Sequence, residues 1–321
     1  MKQTLHVSVL GAGRWGSLLA WYNHKIGNKT ISWNQENDPH FIEFVKTRKN
    51  EYLTMPQEVE FTSNLQKALE SDYIFISISS QALRSFLSTV TTYNISNKTF
   101  ILCMKGIENE TGKRLTQVAQ ECGIPKENLA ILAGPGHVQD LVAGKPNCMV
   151  VSAYNEKLAY FLAKQLTSPL LKFYVNTDII GCEIGAAAKN VLGIAAGALD
   201  GLHMASLKGP LMTLGAKEVA TYIEKEGGNY ITAFGLAHLG DFETTLFSEF
   251  SQNRLYGEAL ATNKPYKKLA EGVMTTKAMY QQAQKHHIHL PIIEGIYKCL
   301  FEHATIQETI QQLMQTPLKN E

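Results

Sequence analysis

Short apolar or β-branched runs alternate with helical segments along the first half of this 321-residue chain, and that alternation constrains the fold more than any other feature. Leu5–Leu10, Thr30–Trp33, Tyr73–Ile78, Thr99–Cys103, Leu129–Leu132, Cys148–Ser152 and Lys172–Val175 read as strands, with Trp15–Ile26 the first of the helices between them. Strands joined through helices run parallel and are covered on both faces, because each crossover helix packs back onto the sheet it leaves. After Asp178 the alternation stops. Gly181–Leu199, Pro210–Lys225, Ala270–His286 and Ile292–Phe301 keep helical periodicity alone. The expected architecture is α/β: a Rossmann-type doubly wound parallel sheet over residues 1–178, then an all-helical domain over 179–321.

Charge excludes several function classes. Thirty basic against 29 acidic residues leave a net charge of +1, so nothing in the electrostatics draws nucleic acid or an anionic membrane. The longest apolar run, Val191–Leu199, is broken by glycines and too short to span a bilayer. The opening MKQTLHVSVLGAG runs into a glycine turn after a brief apolar stretch and is expected to be a buried first strand rather than a leader. Cys103, Cys122, Cys148, Cys182 and Cys299 are scattered, without a CxxC pair or metal-ligand spacing. Reduced thiols in a cytoplasmic protein, and no metal, are the expectation.

Gly11-Ala12-Gly13-Arg14-Trp15-Gly16 is a GxGxxG motif lying directly after a strand and directly before a helix. Its first glycine permits a tight turn, its second lets backbone approach a pyrophosphate, and its third lets helix and strand pack closely. The helix N-terminus then offers free N–H groups and the positive end of its dipole to the phosphates. A nicotinamide cofactor follows, NAD or NADP. Glu36, twenty residues past Gly16, can accept hydrogen bonds from a ribose 2′-hydroxyl and repels a 2′-phosphate, and no arginine occurs between Arg14 and Arg48. That favours NAD, unless Glu36 is simply a solvated loop residue.

Four further segments carry chemistry-bearing residues: Lys105-Gly106-Ile107-Glu108 and Gly134-Pro135-Gly136-His137 after strands, the helical run from Gly181 to Asn190, and Leu239-Gly240-Asp241. Lys189 sits among Gly185, Ala186, Ala187, Ala188, Val191, Leu192 and Gly193. On such a helix a lone lysine ordinarily snorkels to solvent. Small neighbours also allow a flat cofactor or another backbone to come close. A lysine held in a partly dry site can exchange a proton with a carbonyl or alcohol oxygen near neutral pH. Asp241, in a glycine-flanked loop, is either its partner or a turn residue.

GAGRWG, MKGI-ENETG, AGPGHVQDL, GCEIGAAAKNVLGIAAGALDGL, GLAHLGDFETT, SQNRLYG and EGVMTTKAM resemble, in that order, the signature segments of the glycerol-3-phosphate dehydrogenase family. The resemblance runs from Val7 to about Leu313. It implies hydride transfer between a nicotinamide and C2 of dihydroxyacetone phosphate or sn-glycerol 3-phosphate, feeding phospholipid synthesis. It also implies Lys189 as general acid/base, Lys105 as a second active-site lysine and Asp241 as the carboxylate orienting Lys189. Asn190 and Thr245 would line the same substrate pocket, with Gly134 and Gly136. Gly11, Gly13, Arg14, Trp15, Gly16, Glu36, Lys105, Val138, Asn253 and Glu271 would meet the cofactor, and Ser251, Gln252, Asn253 and Arg254 the substrate.

Departures from the family concentrate at the phosphate end. The family's Ser-Arg-Asn reads Ser251-Gln252-Asn253 here, its Thr-Arg-Gly reads Thr213-Leu214-Gly215, and the serine before tryptophan in its first motif is Arg14. Glutamine can hydrogen-bond a phosphate but brings no charge, so a bidentate charge-assisted pair is lost. Arg254 or Lys208 is expected to supply the missing cation. A dehydrogenase of the same fold acting on another small (phospho)hydroxy compound is the alternative. A non-catalytic NAD sensor is disfavoured, since Lys105, Lys189, Asn190 and Asp241 are all present. Expected partners are a small phosphorylated substrate, no nucleic acid and no membrane span, with a homodimer left open.

Overall fold

A computed structural model describes residues 3–315. They divide into two compact units: residues up to Lys105 with Leu115–Ile179, and Gly106–Arg114 with the described residues from Ile180 onward.

The first unit is an eight-stranded sheet. Its strands are β1 (His6–Leu10), β2 (Lys29–Trp33), β3 (Glu60–Thr62), β4 (Tyr73–Ile76), β5 (Thr99–Leu102), β6 (Leu129–Ala133), β7 (Asn147–Ala153) and β8 (Leu171–Asn176). They lie in the order 3-2-1-4-5-6-7-8, and every neighbouring pair is parallel except β6 with β7. The strand order reverses between β1 and β4, the topological switch point at which doubly wound sheets bind ligands outside the carboxyl ends of their strands. The central strands are apolar and buried along almost their whole length, as parallel strands covered on both faces must be. β3 carries no such signal. It has three residues, none buried, on the sheet edge, and the sequence pattern gives no hint of it.

The second unit is helical. Its central element is Ile179–Gly201, packed within a core that includes Ile184, Val191, Leu192, Ile194, Val219, Ile223, Phe242 and Met279. By length and composition this helix could cross a membrane, yet 83% of its most apolar window is buried inside the protein, which makes it a core helix. Its small residues admit other backbones. A Cβ on Gly197 would fall on the Arg254 carbonyl, one on Gly257 would fall on the Ile194 carbonyl, and one on Gly272 would lie 2.5 Å from the Asn190 carbonyl oxygen. Two helices, Gln252–Ala261 and Glu271–Lys285, therefore sit backbone to backbone against the central one.

Gly106–Arg114 joins the second unit although both its flanks lie in the first. Arg114 Nη1 reaches Glu183 Oε2 at 2.6 Å, both side chains nearly buried, and Gln282 Nε2 donates to the Thr111 carbonyl at 3.1 Å. A buried ion pair is strongly destabilising to break from one side, so these contacts hold the segment to the helices.

Candidate active site

In the first unit the glycine motif occupies the turn from β1 into the helix Arg14–Lys25. Gly11 has φ +105°, and a Cβ there would strike the Ser77 carbonyl at the end of β4. A Cβ on Gly16 would strike the Gly11 carbonyl. Gly13 differs: it is exposed, and nothing lies within 4 Å of where its Cβ would point. Gly13 is also the N-cap of a twelve-residue helix that has no side-chain cap and no acidic residue in its first turn. Two glycines thus close the turn, and the third leaves open space before uncapped N–H groups and a positive dipole end. That arrangement fits a dinucleotide pyrophosphate.

Neighbouring segments of the same unit bring more of the nominated residues together. A Cβ on Gly136 would lie 2.8 Å from the Trp15 ring, so the glycine-proline loop rests against the first helix. Lys105 Nζ donates to the Gly134 carbonyl at 3.3 Å, and buried Val138 opens the short helix Val138–Val142. Arg14 is held by Gln139 Oε1 at 2.8 Å and by the face of the Tyr52 ring. Glu36 is exposed, in the turn that follows β2. Asn34 donates instead to Asp38, at 2.7 Å, and Asp38 caps the helix Pro39–Thr47.

The second unit assembles Lys189, Asp241 and Thr245. Lys189 does not snorkel: its side chain is 12% exposed, and its Nζ lies 3.2 Å from Asp241 Oδ1, itself 3% exposed. Asp241 and Thr245 are one turn apart on the helix Asp241–Phe247, so both face the lysine. Lys189 Nζ donates to Thr245 Oγ1 at 2.9 Å, and that hydroxyl donates to the Asp241 carbonyl at 2.9 Å, which turns its lone pair toward the ammonium. Buried Asn190 follows Lys189 on the same helix. This is a desolvated, oriented ammonium that can hand a proton to an oxygen placed beside it.

A further set of cations belongs to the same unit. Asp200 accepts from Lys208 Nζ at 2.8 Å and from Arg254 Nε at 2.6 Å. Lys208 also donates to the Leu246 carbonyl at 3.0 Å. Gln252 accepts from the Tyr266 hydroxyl at 2.6 Å, Asn253 accepts from the Gly272 N–H at 2.9 Å, and Ser251 caps the helix that begins with Gln252, Asn253 and Arg254. Glu271 is the first residue of the helix Glu271–Lys285.

Sequence reasoning passed over His238. It lies three residues before Asp241 on a π-helical turn, Leu236–Gly240, wholly buried, with Nδ1 2.8 Å from the Gly185 carbonyl. Burial pushes its pKa down to about 4. Only its occurrence inside a quoted motif could have drawn attention to it, since the bond spans 53 residues.

Two family models match consecutive stretches of the chain. Residues 6–159 match the NAD-dependent glycerol-3-phosphate dehydrogenase N-terminus, and residues 178–311 match its C-terminus. Relatives agree over the full length. A glycerol-3-phosphate dehydrogenase (NAD(P)+) from Fusobacterium nucleatum is 32% identical, over 96% of both chains. The chain belongs to the NAD-dependent glycerol-3-phosphate dehydrogenase family. A family member named likewise from Chlamydia trachomatis serovar D is also 32% identical, over 100% of this chain and 99% of its own. The crystal structure of glycerol-3-phosphate dehydrogenase from Coxiella burnetii superposes with a TM-score of 0.90 at 27% identity, covering 98% of this chain and 99% of that one. Family membership accounts for the Rossmann-type unit followed by a helical one, for NAD(P) as cofactor and for the class of oxidoreductase.

Proposed function

We propose that the protein interconverts dihydroxyacetone phosphate and sn-glycerol 3-phosphate with NAD(P)(H), supplying glycerol 3-phosphate for phospholipid synthesis in the cytoplasm. The observation that carries the reading is the buried Lys189–Asp241–Thr245 cluster, in a chain that matches the family from end to end. A nicotinamide cofactor, when bound, would supply or take up the hydride at C2. Lys189 protonates the C2 oxygen as the carbonyl is reduced and takes that proton back in the reverse direction. Asp241 keeps the ammonium aimed, and Thr245 fixes its second bond. Asn190 and Lys105 are assigned to polar contacts with the substrate, Lys105 held by its bond to Gly134. A positioned acid of this kind contributes about 10²–10⁴-fold to rate.

NADH is the preferred cofactor on this reading. Its support is the carboxylate of Glu36 after β2 and the engagement of both flanking arginines. Arg14 is tied to Gln139, and Arg48 donates to the Val59 carbonyl at 2.9 Å and lies over the Phe61 ring. The substrate phosphate is assigned to Arg254, with Lys208 as the second cation of the cluster. Free cysteines throughout suit a reducing compartment.

The test is absorbance at 340 nm with dihydroxyacetone phosphate and NADH, then NADPH. Oxidation of NADH at a lower KM than NADPH is expected. A preference for NADPH removes the Glu36 argument. Gln252 favours one competing reading, a different small hydroxy compound as substrate. Turnover of unphosphorylated 2-hydroxy acids in the absence of any activity with dihydroxyacetone phosphate would establish it.

A further inference from the structure

The buried histidine beside the lysine–aspartate pair has no role in the chemistry described above. His238 is fully buried, its ring stacked on Phe242 at 5.8 Å with the planes 20° apart. Its Nδ1 meets the Gly185 carbonyl at 2.8 Å, and its Nε2 is buried without a hydrogen-bond partner among the described residues. A carbonyl oxygen only accepts, so Nδ1 carries the hydrogen and Nε2 is the bare nitrogen. The ring is neutral, and in neutral and alkaline solution it does not titrate, because burial outweighs the opposing effects of Asp241 and the Gly185 bond and adds to that of Lys189.

The partner of that bond is the informative part. Gly185 is four residues before Lys189 on the helix Ile179–Gly201, so its carbonyl is the acceptor that α-helical geometry gives to the Lys189 N–H. A side chain at position 185 would bring its Cβ within 2.7 Å of the His238 Cβ, so the approach requires glycine there. On the other side, His238 lies on the π-helical turn that leads directly into Asp241. The imidazole therefore bridges the turn that carries the proton donor and the turn that carries its carboxylate.

We propose that His238 is a positioning residue: through the Gly185 carbonyl it sets the distance and orientation between Lys189 and Asp241. The inference rests on the reading of Lys189 as proton donor. It requires a neutral hydrogen-bond donor at the Nδ1 position and nothing at Nε2.

That asymmetry makes it testable. The carboxamide nitrogen of an asparagine at this position can stand where Nδ1 stands, so His238→Asn retains the bond. His238→Gln places its amide nearer the Nε2 position, and His238→Phe keeps the stack on Phe242 while removing the donor. A displacement near 1 Å costs on the order of 10²-fold in rate. His238→Phe and His238→Gln are expected to lower kcat by about 10–100-fold, with KM for NADH within about twofold of wild type. Their alkaline limb of kcat for carbonyl reduction should move to lower pH, since an ammonium held less closely by a carboxylate gives up its proton more readily. His238→Asn should recover most of kcat and return the limb. Equal losses in the Asn and Gln variants, or unchanged kcat and pH profile in both, overturn the proposal. If His238→Phe does not fold, the Asn and Gln pair carries the same contrast. Lys189→Ala, measured alongside, separates the two ideas: an active Lys189→Ala enzyme defeats the proton-donor reading whatever His238 does.

Discussion

The same glycine-to-alanine change should have opposite signs at two places in the second unit, and the space around each decides which. At Gly257 the new Cβ would lie 2.9 Å from the Ala198 amide nitrogen and fall on the Ile194 carbonyl. Both obstacles are backbone of the central helix, so no side chain can swing aside. The two helices must part by well over the ~0.5 Å that would relieve the Ala198 contact alone, because the Ile194 carbonyl lies nearer still. Overpacking costs typically about 1–3 kcal/mol. The upper end applies where backbone meets backbone, offset by the ~1 kcal/mol that alanine gains over glycine inside a helix. Gly257→Ala is therefore destabilising by roughly 2 kcal/mol, about 4–8 °C in Tm for a unit of this size. At Gly235 the nearest atom is the Thr232 carbonyl oxygen at 3.4 Å, ordinary contact, and φ is −94°. Gly235→Ala should be stabilising by about 0.4–1 kcal/mol through the unfolded chain. Differential scanning calorimetry of the two variants reads both signs in one experiment. A Tm for Gly257→Ala at or above wild type would refute the backbone-to-backbone packing on which the site's geometry depends.

The remaining predictions concern chemistry. Lys189→Ala should lower kcat by about 10²–10⁴-fold while leaving NADH binding, followed by tryptophan fluorescence, nearly intact; more than about a tenth of wild-type kcat would remove Lys189 as the proton donor. Asp241→Asn should lower kcat and also destabilise by about 3–5 kcal/mol, because it strands a buried ammonium; denaturant midpoints that match wild type would contradict the buried pair. Arg254→Ala should raise KM for dihydroxyacetone phosphate at least about tenfold with a smaller change in KM for NADH, as expected for a lost charged hydrogen bond of about 1.5–3 kcal/mol. A silent Arg254→Ala together with a harmful Gln252→Arg would place the phosphate elsewhere.

What could be read in the sequence follows from where information is local. β5 and β6 are legible because strands buried on both faces are continuous apolar runs. The glycine motif is legible because turn, approach and packing each demand glycine at a set spacing, and Gly11, Gly13 and Gly16 occupy those three environments. β3 is not legible, being three half-exposed edge residues. Thr305 and Glu308 do form a capping box, a signal visible in the sequence as T-x-x-E, and it opens the helix Ile306–Met314 that periodicity alone did not reveal. The membership of Gly106–Arg114 in the second unit depends on partners at positions 183 and 282. The two cations at Asp200 divide for a similar reason. Sequence offers Arg254, the nearer to Gln252, with Lys208 as the other choice, and the structure gives Lys208 two hydrogen bonds on a compact ammonium and leaves Arg254 the terminal nitrogens of its fork, only one of them near a carboxylate among the described residues, Glu258 at 4.0 Å.

The small-residue run and the lysine inside it are one signal rather than two. Gly193, Gly197, Gly257 and Gly272 let backbones and short side chains close on the central helix from several directions, Thr245 Cγ2 among them, 2.9 Å from where a Gly193 Cβ would be. A larger residue at Gly193 would press on Thr245 and so on the helix Asp241–Phe247, lengthening the 3.2 Å between Lys189 and Asp241. Close approach also dries the site: Lys189, Asp241 and Thr245 are all nearly buried. An ion pair between exposed side chains is worth little in water, but a desolvated pair braced by packing holds the Lys189 ammonium in one geometry. A glycine at position 193 of the core helix thus sets how closely Thr245 and Asp241 approach Lys189, and a lysine set among small residues is the sequence mark of that arrangement.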